Sequence, residues 1–178
     1  MPPAIEFGVL GTKVTVTPAG AKVVGTFGDG SPAVLTHEFG KGRCVYVAAC
    51  PGLSYIKDAK FVPAELKESW PPAQRAFINA AARGHGVGRL VELSHPVVEA
   101  GVFQTPTAVA LVLANFTYKP IDALHVRLPM PAGAVVKSVR SVERGPLKFA
   151  LETATGGTTV TAVTFTMLLG TSDIVLVE

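Results

Sequence analysis

Four histidines, two cysteines and thirteen carboxylates are the side chains of this chain best suited to chemistry. His37, His85, His95 and His125 lie far apart, and none forms a short-spaced HxH, HxxxH or Cys/His cluster. His95 and Glu99 are four apart, a spacing that brings two ligands together on a helix. Pro96-Val97-Val98 between them reads as strand, where four residues span roughly 13 Å, too far for one ion without further ligands. No metal and no cofactor is expected. A reactive thiol needs a histidine or a helix N-terminus to depress its pKa. Cys50 closes a strand before a glycine-containing turn, Pro51 after it offers no N–H, and nothing local supplies a base. Ser94 and His95 are neighbours, but adjacency does not make a dyad, and no G-x-S-x-G elbow occurs. Gly84-x-Gly86-x-Gly88 follows a helix, where a dinucleotide fingerprint must follow a strand. Gly40-Lys41-Gly42 lacks the rest of a phosphate-binding loop. Both glycine clusters read as turns. A glycosidase needs two carboxylates at a fixed separation, and the spacing marks no such pair. No catalytic residue is assigned.

The aromatic side chains remain as candidates for contact. Trp70 stands by a helix start, the place of a core or hydrophobic-staple residue. Phe116 and Tyr118 alternate around a turn after a central strand, where they can stack on a sugar or meet a partner. His85 lies in a glycine-rich hinge, near Arg89 in sequence, and sites favour domain junctions. Trp70, His85, Phe116 and Tyr118 are therefore the candidate carbohydrate or interface contacts.

These residues need elements to position them. Lys13–Thr17, Lys22–Phe27, Val34–Phe39 and Arg43–Cys50 read as short strands, the last three forming an antiparallel meander linked by Gly28-Asp29-Gly30-Ser31-Pro32 and Gly40-Lys41-Gly42. The third strand is apolar on both faces, so both faces are expected to be covered. Six residues of strand span roughly 20 Å, so Cys44 and Cys50 cannot bridge; they read as buried free thiols. Leu53–Trp70 reads as irregular. Pro72–Arg83 is the one convincing helix, with proline in its first turn. Its stripe of Ala73, Phe77, Ala80 and Ala81 is expected to cover the meander. Beyond Leu90 all candidate elements are strands: Val97–Phe103, Ala108–Ala114, Ala123–Leu128, Val135–Val142, Leu147–Leu151, Thr158–Thr161, Val163–Leu168 and Ile174–Val177. Leu124, Val126 and Leu128 point inward, with His125 and Arg127 toward water. The inward phase changes between Val160 and Val163, which predicts a bulge or tight turn. The fold class is mainly β: a meander with one covering helix over 1–86, then a small immunoglobulin-like β-sandwich over 87–178.

With 178 residues the chain is too short for a complete (β/α)₈ barrel. Charged residues make up 16 % of it, against about 25 % in an average soluble domain. The net charge of +3 is too weak and too scattered for a nucleic-acid footprint. The longest apolar run, Ala108–Ala114, is far short of the roughly 20 residues of a membrane-spanning helix. Met1-Pro2-Pro3-Ala4 carries no basic or apolar signal region, which points to the cytoplasm.

Two groups of motifs resemble one family. Gly25-Thr-Phe-Gly-Asp-Gly-Ser-Pro-Ala33, Phe39-Gly-Lys-Gly-Arg43 and Val45-Tyr-Val47 resemble the end of the amidotransferase-like trimerisation domain of bacterial β-galactosidases and related glycoside hydrolases. Leu111-Val-Leu-Ala-Asn115, Val139-Arg-Ser-Val-Glu143 and Ser172-Asp-Ile-Val-Leu176 resemble the small C-terminal β-sandwich that follows it. The resemblance implies a partial amidotransferase-like unit whose early βα units and catalytic barrel are absent from these residues. In that family this domain is generally degenerate, and no catalytic residue carries over.

A sheet separated from such neighbours leaves apolar surface bare, and large bare patches are rare on monomers. The expected function is a non-catalytic accessory or oligomerisation module related to glycoside hydrolases. It would form a symmetric homodimer or dock on a larger glycoside hydrolase chain, with no nucleic acid and no membrane. The alternatives are a stand-alone carbohydrate-binding protein and an enzyme with a site at the inter-domain or subunit interface.

Overall fold

A computed structural model describes residues 5–59, 70–83, 88–131 and 133–178. The chain is mainly β and divides into two compact units, the first from the described residues up to Arg83 and the second from Gly88 onward.

The first unit holds three strands, β1 (Lys22–Thr26), β2 (Pro32–Phe39) and β3 (Gly42–Val47). They pair in the order β1-β2-β3, all antiparallel, as the glycine turns predict. The first turn is built by Asp29, whose Oδ1 accepts from the Ser31 N–H at 3.0 Å and the Ser31 hydroxyl at 2.6 Å. Gly30 beside it has φ +82°, a left-handed conformation that glycine adopts at no steric cost. Lys13 forms an ion pair with Asp29. That contact, with the bonds from Ser31, holds the Asp29 carboxyl well below the usual carboxylate range. Lys13–Thr17 is not a strand; only its Val14 N–H joins the sheet, bonding the Ala48 carbonyl at 2.8 Å.

Three helical segments follow: α1 (Pro51–Ile56), α2 (Pro72–Ile78) and α3 (Ala80–Arg83). The first corrects the irregular reading of Leu53–Trp70 within the described residues. Pro51 opens this helix rather than ending a strand, because its missing N–H is not needed at the first helical position. The expected helix 72–83 breaks at Asn79, whose backbone N–H and side-chain amide both bond the Arg75 carbonyl. The stripe fails with the break. Ala73 and Ala80 are exposed, Gln74 is buried, and α2 packs on α1. Phe77 meets Phe7 edge-on, with ring centroids 5.4 Å apart.

The second unit contains β4 (Glu92–Leu93), β5 (Val98–Gln104), β6 (Val109–Asn115), β7 (Ile121–Pro129), β8 (Val139–Ser141), β9 (Gly145–Pro146), β10 (Phe149–Thr153), β11 (Val160–Leu169) and β12 (Ser172–Val177). They form two antiparallel sheets, ordered β10-β11-β7-β4 and β5-β6-β12-β8-β9. One apolar core lies between them. Leu124, Val126, Leu128, Val163, Phe165 and Met167 fill it from the first sheet, and Leu111, Leu113, Val139, Val175 and Val177 from the second. The alternation read in Ala123–Leu128 holds, with Leu124, Val126 and Leu128 buried and His125 exposed. The predicted phase change is a bulge. Glu152 pairs with Ala162 but Thr153 pairs with Val160, so Thr161 is the extra residue. Ala162 and Val163, which follow it, are both fully buried. The strands expected at Thr158–Thr161 and Val163–Leu168 merge into β11 across it.

Candidate functional site

An open groove of about 800 Å3 lies on the outer face of the sheet β10-β11-β7-β4 in the second unit. Strand register builds its floor. Thr164 pairs with both Arg127 and Ala150, and Glu92 pairs with Arg127, making one row across four strands. Thr166 pairs with His125 in the next row, with Ser94 beside it.

The polar groups of this floor hold one another. The Arg127 guanidinium donates from Nε to Glu152 Oε2 at 2.9 Å, with Nη2 in ion-pair contact with the same oxygen at 2.8 Å, and from Nη1 to Glu92 Oε1 at 3.3 Å. The hydrogen bond to Glu152 raises the Arg127 pKa further, and the two glutamates offset its charge. His125 Nδ1 lies 2.8 Å from Thr166 Oγ1. Ser94 stitches the end of β4 to β7: its N–H donates to the His125 carbonyl, and its Oγ accepts from the His125 N–H at 3.0 Å. Ser94 Oγ also lies 2.9 Å from His95 Nδ1, so these neighbours touch. The oxygen is engaged in the strand clamp. Sequence reasoning missed this cluster because β4 is only two residues long; the outward phase of His125 and Arg127 was its only signal.

The described candidate contact residues belong to different units. Trp70 is half-buried in the first unit and packs on Tyr55, with ring centroids 5.4 Å apart. Phe116 and Tyr118 belong to the second unit and stand exposed on the turn between β6 and β7. Asn115 organises that turn. Its Nδ2 donates to the carbonyls of Lys119 and Gly170, each at 2.8 Å, and its Oδ1 accepts from the N–H and hydroxyl of Thr117. Thr117 is buried between the two aromatic residues, and Tyr118 has φ +59°. His85 and the hinge 84–87 lie outside the described residues. Among the described residues no group of three or more His, Cys, Asp or Glu is placed to hold a metal ion, and no helix is long and apolar enough to cross a membrane.

The other notable surface is apolar. Successive strand residues point to opposite faces. In β3, which pairs in unbroken register, Val45 and Tyr46 are both exposed; Val23 and Val24 of the bulged β1 are exposed too. Neither face of the first unit's sheet is therefore closed, which corrects the expectation that both faces of β3 are covered. Cys44 is exposed for the same reason, and Cys50, at the N-cap of α1, is exposed as well; both thiols are free. Phe39, at the tip of the hairpin, is 83 % exposed. The second unit adds a smaller apolar face. Register sets Val112 beside Ile174 and Phe103 beside Ala110 on the outer side of β5-β6-β12, with Phe103, Val112 and Ile174 exposed.

Comparison with known proteins yields no matching family model, no matching curated protein and no matching solved structure.

Proposed function

We propose that this chain is a non-catalytic accessory module that works by association, through the sheet of its first unit. One observation carries this reading: β3, an edge of a three-stranded sheet, exposes apolar side chains on both faces, and the bulged β1 at the other edge exposes Val23 and Val24. Such a sheet needs a covered hydrophobic face for independent stability, and exposed apolar patches of this kind mark association surfaces. The motif resemblance supports a relation to glycoside hydrolase assembly domains. A second copy is the simplest closed partner, with a larger glycoside hydrolase chain as the other.

Light scattering at tens of micromolar tests this. A mass of two chains supports the reading. A well-behaved monomer that also fails to bind a glycoside hydrolase chain contradicts it.

Carbohydrate binding is the second reading, favoured by Phe116 and Tyr118 displayed together on a rigid, Asn115-braced turn. Titration with galactosides and plant polysaccharides that releases no heat removes it.

A further inference from the structure

We infer that two copies of this chain join edge to edge, β3 against β3 in antiparallel fashion, with Val45 on the two-fold axis. The inference rests on the proposed function and specifies its interface.

A three-stranded sheet has two edges, and here they differ. The β1 edge is blunted. Its pairing with β2 slips twice, between Val23 and Gly25 and between Gly25 and Thr26, and such bulges twist an edge away from further pairing. Lys22 adds a charge there. The β3 edge is regular, pairing in unbroken register from Gly42–Phe39 to Val47–Val34. From Cys44 to Val47 it carries neither charge nor proline. A straight edge of this kind, apolar except for Arg43 at its end, whose charge is paired with Glu38 of β2, is a template for another strand.

Register shows which groups are offered. The Ala48 N–H bonds the Ala33 carbonyl at 2.8 Å, and Val47 stands opposite Val34. In an antiparallel ladder the hydrogen-bonded and non-hydrogen-bonded pairs alternate. Tyr46 and Cys44 therefore direct their N–H and C=O groups toward β2, while Arg43, Val45 and Val47 direct theirs outward. Among the described residues nothing pairs with these three on that side. The open stretch ends at Ala48, whose carbonyl already accepts from Val14. The free window is Arg43–Val47, and its midpoint is Val45.

That midpoint is self-complementary. With Val45 facing its own copy, Arg43 falls opposite Val47, so the two guanidinium groups do not meet. Cys44 falls opposite Tyr46 as a non-hydrogen-bonded pair, with Cα atoms about 4.5 Å apart. The product is a six-stranded sheet with only the blunted β1 edges outside.

Disulfide trapping tests the register. In a chain carrying Cys50→Ser and Tyr46→Cys, the introduced thiol and Cys44 of the second copy lie within the Cα range of a disulfide. Diamide, as the oxidant, should convert the chain to a covalent dimer, while Cys50→Ser/Val24→Cys stays unlinked through its introduced thiol. Val45→Pro removes one outward N–H that β2 does not use and should give a monomer; far-ultraviolet circular dichroism checks its strand content. A dimer by light scattering that neither cross-links through Tyr46→Cys nor responds to Val45→Pro overturns this interface and leaves association standing. A monomeric parent chain at all concentrations overturns both.

Discussion

Val45 and Tyr46 are successive residues of β3, point to opposite faces of the same sheet, and are both exposed. In a strand covered on one side, one of the two would be buried. Leu35 and Ala48 are the only buried apolar residues of the first unit among those described, whereas the second unit packs a core from both its sheets. The two units thus differ in how completely they satisfy their own apolar surface. This difference is the basis for assigning association to the first unit and self-contained stability to the second.

The bracing of the β6–β7 turn predicts an unusual gain. Tyr118 sits at φ +59°, where an L-residue costs about 1–2 kcal/mol. Tyr118→Gly should stabilise the chain by roughly 0.5 kcal/mol or more once the added backbone entropy of glycine is deducted. Tyr118→Ala should not. Urea unfolding with an unchanged slope and a higher midpoint for the glycine variant is the check.

A buried polar pair predicts a loss. Ser141 donates to Asp173 Oδ2 at 2.5 Å and accepts from the Arg144 N–H at 2.9 Å, and both side chains are buried. Ser141→Ala leaves the carboxylate and the Arg144 N–H each without a partner they now have, at a cost of about 1–3 kcal/mol. Asp173→Asn should cost a comparable amount, and the double variant less than the sum, because the two residues share one contact. A double-mutant cycle in urea measures the coupling.

The first β-turn predicts a pH dependence. Lys13 and Ser31 hold Asp29 below its ordinary pKa. A lowered folded pKa means that the ion pair's contribution is complete above the unfolded Asp value, about 3.9, and is lost as pH falls through the lower folded value. The carboxyl carbon resonance of Asp29 should inflect below the ordinary Asp range. Lys13→Met should move the inflection back up. An inflection that stays in place would show that Lys13 does not hold the carboxylate.

Much of the second unit was legible from alternation. Leu124, Val126 and Leu128 fall inward because β7 has a core on one side and water on the other. The bulge at Thr161 was legible from the change of phase. The two-residue strands β4 and β9 carry no periodicity to read, so the Ser94–His125 clamp stayed hidden. In the first unit the sequence misled in two ways. Pro51-Gly52 resembles a strand terminator as much as a helix start. An apolar strand reads as covered, yet sequence cannot tell a covered face from one awaiting a partner, and Cys44 was placed inside for that reason. The break at Asn79, whose side-chain amide also bonds the Arg75 carbonyl, illustrates a third limit: spacing alone would continue the stripe.

Hydrogen exchange at low and high micromolar concentration tests the central claim most directly. Amides of Lys22–Val47 should gain protection as concentration rises, while those buried in the sandwich between Val98 and Val177 keep theirs unchanged. Protection that is independent of concentration throughout the first unit, or that rises only on the outer face of β5-β6-β12, would contradict it.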